Sequence, residues 1–334
     1  MPVPRLLVSG RLAALVTAVL ATAILAACGG DDGYGEAPDE IDFSAQAVGE
    51  TFNADIQPQV INSALALGPN RVIVALFTSE LDLVHDATGV LRLYRLDDAG
   101  MGTFEGEHLL RRATITGETT HRHADGSDHL HEDPLATVYL ASIDFPATGK
   151  WGVALSIQTE AERYDQLLAG PVVVLDRTPE PGLGDPLPAS THLTLRDVDD
   201  VTEINSSTEP IAAMNELTVA EALQTGKPVL VAIATPAFCQ SRFCGPMMDE
   251  VVRPLYEEFS DRVQFVHVEP FLLHEARNNQ RLVPVPLLAE WRLLTEPWIF
   301  VADADGSVVA KFEGITTVEE VRETLASLVA SGGG

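Results

Sequence analysis

The stretch PVLVAIATPAFCQSRFCGP, residues 228–246, decides the fold. Its first seven residues, Pro228–Ala234, are apolar throughout, the pattern of a central strand covered on both faces. A turn carrying Cys239 and Cys244 follows, and then Pro246. Proline suits the first position of a helix, where its missing N–H leaves no bond unmade. The spacing predicts a long amphipathic helix over Pro246–Phe259, with Cys244 at or near its N-cap. Orphan N–H groups and the positive end of the helix dipole favour a thiolate there. Four residues separate the two cysteines, a loop short enough for a disulfide where the geometry permits.

Outward from this stretch, Leu217–Gln224 is a helical segment stopped by Gly226, and Val263–Val268 is a second apolar strand. Leu287–Leu293 is helical, Trp298–Ala302 and Val308–Glu313 form a hairpin around Asp303–Ser307, and Val318–Val329 closes the chain as a helix. Strand, helix, strand, helix, hairpin, helix is an α/β layer arrangement.

With these motifs, Leu217–Val329 resembles a thioredoxin-fold domain: an apolar strand ending in PAFC, FCGP at the helix start, Glu296-Pro297-Trp298 before the hairpin, and a final helix. The resemblance implies that Pro297 is cis, that it lies against the active-site cysteines, and that Glu296 and Pro297 line the substrate groove. The chain departs from the family pattern at three points. Its spacing is C-x4-C rather than C-x2-C, so either Phe238-Cys239 or Phe243-Cys244-Gly245-Pro246 replaces the usual start. In the second alignment Met247 takes the partner cysteine's place. Ala232 stands where thioredoxins carry a buried acid. The reading assigns Cys244 as the attacking thiolate and Cys239 as its resolving partner, against a structural disulfide that only staples the turn.

Upstream, residues 48–176 read as short strands between turns: Arg71–Phe77, Leu91–Arg95, Ala136–Ser142, Trp151–Ile157 and Pro171–Leu175. Such spacing predicts an all-β sandwich. FPATGKWGVAL, residues 145–155, resembles the late hairpin of immunoglobulin-like modules. Residues 177–210 hold five prolines (Pro179, Pro181, Pro186, Pro188, Pro210) and many acids, and read as a linker running over the surface. The α/β domain then spans 211–331. An immunoglobulin-like sandwich followed by a thioredoxin-like domain resembles a known layout of bacterial lipoproteins.

The N-terminus fits that layout. Arg5 and Arg11 precede the apolar run Leu12–Leu25, which is 14 residues long. That suits a signal-peptide core and falls short of the ~20 residues that a spanning helix needs. The run ends in Leu25-Ala26-Ala27-Cys28-Gly29, which resembles a lipobox and implies a diacylglycerol on Cys28. Residues 1–27 are then a lipoprotein signal peptide and 28–47 a flexible acidic tether. The expected location is the outer face of a cytoplasmic membrane or a periplasm, with the lipid as anchor. The chain has 334 residues, 46% of them hydrophobic, with 21 Lys+Arg against 49 Asp+Glu and a net charge of −28. That apolar content excludes a wholly disordered chain, and the charge excludes a nucleic-acid partner.

Four of the nine histidines lie in Thr120–Glu132. A hairpin turning at Ala124–Asp128 would place His123 across from His129 and His121 across from His131, all on one face. Such a cluster could hold copper or zinc, or be a solvated loop. A site of the Sco copper-delivery type would want a histidine after Pro297. None follows, and the histidines between Cys244 and Pro297 are His267, in a strand, and His274, in an irregular loop. No organic cofactor is required, since no phosphate-cradling glycine loop occurs.

The expected activity is thiol–disulfide exchange on extracytoplasmic protein thiols and disulfides. Two other readings stay open: a copper or zinc chaperone or sensor built on the histidine hairpin, and a non-enzymatic interaction protein on a thioredoxin scaffold.

Overall fold

The computed structural model describes residues 33–334 apart from 46, 48, 50–54, 123–127, 240–242 and 332–334, with the backbone alone for 117–122 and 128–133. The signal sequence and Cys28 lie outside the described residues. No helix among the described residues is long and apolar enough to cross a membrane.

Ten strands come first: β1 (Glu40–Asp42), β2 (Ile56–Val60), β3 (Leu65–Ala66), β4 (Gly68–Thr78), β5 (Thr88–Leu96), β6 (Met101–Leu109), β7 (Arg111–Arg122), β8 (Asp128–Phe145), β9 (Gly149–Gln158) and β10 (Arg163–Leu175). They make a four-stranded sheet, β2-β4-β8-β7, and a six-stranded sheet, β1-β6-β5-β9-β10-β3. The five apolar runs picked out in the sequence fall in β4, β5, β8, β9 and β10. Val72, Val74, Tyr139 and Ala141 from the first sheet share one core with Leu91, Leu93, Val153 and Leu155 from the second. Two facing sheets are therefore observed. Within the stretch read as a tether, Glu40–Asp42 pair with β6, and Phe43 is buried against Tyr94 and Ala154 on the outer face of the six-stranded sheet. Gly152 admits it: a Cβ there would meet the Phe43 ring at 2.5 Å.

The C-terminal part holds a four-stranded sheet of β11 (Val229–Ile233), β12 (Gln264–Val268), β13 (Trp298–Ala302) and β14 (Val308–Glu313), in the order β12-β11-β13-β14. Strand β11 runs parallel to β12 and antiparallel to β13, which pairs antiparallel with β14. All five residues of β11 are buried, as an apolar strand covered on both faces must be.

One face is covered by α1 (Val219–Ala222) and, later, by α5 (Pro286–Glu290), with Leu287, Trp291, Trp298 and Phe300 in the core between. The other carries a continuous helical run: α2 (Cys244–Met247), a π-helical turn Met248–Val252, and α3 (Arg253–Phe259). Between them in sequence lies α4 (Leu273–Asn279), and α6 (Val318–Ser331) closes the chain against α3. The run starts at Cys244 rather than Pro246, so Pro246 is its third residue. Its missing N–H is still one of the first-turn donors that have no intrahelical acceptor, which is why proline fits there too.

Glu36–Gly334 form one unit. Alternation along β4 and β8 explains how. Val72 and Val74 face the six-stranded sheet, while Ile73, Val138 and Leu140 pack with Met247, Val251 and Leu255 on the helical run. The proline-rich stretch docks onto the C-terminal part. Leu187 N–H donates to Gly306 O (2.8 Å), and buried Glu180 meets Lys311 Nζ at 2.6 Å.

Candidate functional site

Cys239 and Cys244 are joined as a disulfide, with Cα atoms 6.0 Å apart. Cys244 opens the helical run after Phe243, which provides no side-chain cap. Cys244 is fully buried, and Cys239 is only partly so. Residues 240–242 between them lie outside the described residues.

The Glu296–Pro297 peptide is cis. Ile233, the last residue of β11, pairs with Trp298, the first of β13, so Pro297 lies at the end of the sheet from which the cysteine loop departs. Thr295 Oγ1 donates to Glu313 Oε1 (2.8 Å) and accepts from Trp298 Nε1 (3.1 Å). Pro297 O accepts from Gly314 N–H at 2.9 Å. These bonds hold the loop on either side of the cis peptide. Glu296 is half-buried, and burial pushes its carboxyl above the usual range.

Ala232 is buried in the apolar core, so β11 brings no acid to the site. Beside the cysteine loop, β12 ends in His267, Val268 and then Glu269. His267 is fully enclosed; its Nε2–H donates to Ala234 O at 2.9 Å. Burial lowers its pKa to about 4, outweighing that bond, so it stands neutral at pH 7. Glu269 is 6% exposed. Burial pushes its pKa up to about 7, against the hydroxyls of Ser206 and Thr235 and the charge of Arg277, which favour the ionised form. Glu269 Oε1 accepts Ser206 N–H at 2.6 Å, and Ser206 Oγ accepts Ala237 N–H at 3.1 Å. Neither Glu269 nor Ser206 stands out in the sequence. An acid ending an apolar strand and a serine among prolines read as surface, because their meeting spans 63 residues.

Two expectations need correction. His274 lies on helix α4 rather than in an irregular loop, and its ring is exposed beside Glu275. In the β7–β8 hairpin, His121 pairs with His129 and Thr119 with His131, instead of His123 with His129 and His121 with His131. The ladder extends to Arg122↔Asp128, so Asp128 belongs to the strand rather than to the turn, and the pairing shifts with it. His123 and the side chains of His121, His129 and His131 lie outside the described residues, as does any metal cluster there.

No family model matches the chain, and no curated protein matches it. Among solved structures it is similar to the C-terminal domain of a protein assigned as a thiol-disulfide oxidoreductase from Bacteroides thetaiotaomicron, with 13% identity and a TM-score of 0.27. The match covers 36% of this chain and 89% of that one. The site's own geometry is a disulfide at a helix start, at the sheet end that also holds a cis-proline.

Proposed function

We propose that the chain is a lipid-anchored, extracytoplasmic thiol–disulfide exchange protein whose thioredoxin-like C-terminal part acts through Cys239 and Cys244. The observation that carries this reading is the placement of the disulfide. It caps the start of the helical run Cys244–Phe259, at the sheet end that also carries cis-Pro297, with Cys239 partly accessible and Cys244 enclosed. The strand orders support an immunoglobulin-like reading of the sandwich, since β2-β4-β8-β7 opposite β6-β5-β9-β10 follows the A-B-E-D and C′-C-F-G pattern of that fold. Nothing beyond protein thiols is needed as co-reactant.

Exposure favours Cys239 as the sulfur a partner reaches, which exchanges the two roles read from the sequence. A partner thiolate attacks Cys239 Sγ, the Cys239–Cys244 bond breaks, and Cys244 leaves as a thiolate facing the first-turn N–H groups. A second partner thiolate then attacks the partner sulfur of the mixed disulfide and releases Cys239. The partner ends with a disulfide, the pair is reduced by two electrons, and the two partner thiols give up their protons. The reverse sequence reduces a partner disulfide. Glu296 and Pro297 would border the groove in which the partner strand lies.

The test is the reduction potential of the pair in a soluble form beginning after Cys28, equilibrated against glutathione or dithiothreitol. A value between about −120 and −270 mV, the range of exchange proteins, is expected. One below about −300 mV marks a structural bridge and overturns the reading.

A further inference from the structure

Three elements far apart in sequence meet behind the cysteine loop: the end of β12 with Glu269, the proline-rich stretch with Ser206, and the loop itself with Ala237. Ser206 donates its N–H to Glu269 and accepts the N–H of Ala237 on its hydroxyl. Ala237 lies two residues before Cys239. Glu269 is thus tied to the backbone of the loop through a single residue, and with 6% exposure it has little water to replace a lost partner.

We propose that Glu269 is a positioning residue that clamps the cysteine loop through Ser206, and that protonating its carboxylate loosens the clamp and opens the disulfide to attack. A carboxylate accepts an N–H bond roughly twice as strongly as a neutral acid does. The proton comes from solvent, and no other covalent bond changes. Its meaning for exchange rests on the function proposed above, but the clamp does not.

Other titrating groups face the same region. His274 from α4, His267 from β12 itself, and His192, Asp197 and Glu203 from the proline-rich stretch line with Glu269 one cavity of about 450 Å³, and the charge of Arg277 on α4 also acts on Glu269. Burial keeps His192 and His267 below the usual histidine range, so Glu269 is the buried group poised to change charge near neutrality.

The experiment follows reduction of the disulfide by dithiothreitol from pH 5 to 9 in the chain beginning after Cys28, with each rate divided by the dithiothreitol thiolate concentration. This reads the clamp whether or not the protein exchanges disulfides with a partner. In the wild type the normalised rate should fall about two- to tenfold as pH rises through neutrality, the factor that one hydrogen bond of the clamp is worth. Glu269→Gln should flatten the profile, because the amide stays neutral. Ser206→Ala keeps the N–H bond to Glu269 but removes the hydroxyl that ties Ala237 and also favours the ionised carboxylate, and should flatten it too, at the faster level. An inflection that persists in Glu269→Gln belongs to another group and overturns the proposal. So does a Ser206→Ala profile that matches the wild type.

Discussion

At the level of single side chains, burial separates two cysteines that share a bond. Cys244 packs with Met247, Val251 and Ala232 inside the core, whereas Cys239 lies at its margin. Only a reachable thiol reacts quickly, and a thiol enclosed by apolar groups is inert until the fold opens. In the single variants at pH 7.5, iodoacetamide should therefore alkylate Cys239 in Cys244→Ser on the order of tenfold faster than Cys244 in Cys239→Ser. The opposite order, read by mass spectrometry, would return the attacking role to Cys244. Pro246 makes a smaller point at the same scale: proline tolerates any of the first helical positions, so its presence dates the helix start only to within two residues.

At the level of the element, the end of β12 sets two buried titrating groups in opposition. His267 has its pKa lowered to about 4, so its contribution is complete above the unfolded value near 6.5 and is lost as pH falls toward 4. Glu269 has its pKa raised to about 7, so its contribution is complete below the unfolded value of 4.5 and is lost as pH rises through 7. Each shift corresponds to about 3 kcal/mol. Between pH 4.5 and 6.5 the folded chain carries its proton on Glu269 and the unfolded chain carries it on His267, so the two slopes cancel. Wild-type stability should be insensitive to pH in this window as far as this pair is concerned. Glu269→Gln should instead gain stability from pH 4.5 to 6.5, by up to about 3 kcal/mol in urea titrations. A variant curve parallel to the wild type would show that the two shifts are not present together.

At the level of the whole molecule, the sandwich is a wall of the site rather than a separate bead. Ala113, Ile115 and Val138 pack on the helical run that begins with Cys244, and Thr116 Oγ1 donates to Glu250 Oε1 at 3.0 Å. Arg71 reaches the other way: Nη2 donates to Ile315 O (2.6 Å) and pairs with Glu320 (3.0 Å). Burial pushes Glu320 up, but the Arg71 guanidinium and the Thr316 and Thr317 donors outweigh it and hold the carboxyl low. Ser63 N–H donates to Glu313, which also accepts Thr295 just before the cis peptide. The sandwich therefore braces both the cysteine helix and the proline loop. Arg71→Ala takes the nearer cation from Glu320, leaving Arg111 Nη2 at 3.6 Å, and should lower stability by about 1–3 kcal/mol, with one shared unfolding transition for both parts of the wild type. Two well-separated transitions in the wild type would contradict the shared core.

By itself, the sequence determined the elements that local pattern controls. The apolar run over Val229–Ile233, the proline after Cys244, the hairpin after Pro297 and the five sandwich runs all carry their signal within a few residues, because strand and helix periodicity is local. It also singled out the two cysteines and, through a family resemblance, Pro297, which lies at the same end of the sheet. What only the tertiary structure decided depends on residues brought together across long separations. Both faces of β4 read as apolar, yet only packing shows that one of them belongs to the cysteine helix. The more accessible member of the cysteine pair, the register of the histidine hairpin and the Glu269–Ser206–Ala237 chain were equally hidden. Burial and hydrogen bonding are properties of a neighbourhood, and a neighbourhood assembled from residues 71, 206, 237, 269 and 320 has no signature in any one window of the chain.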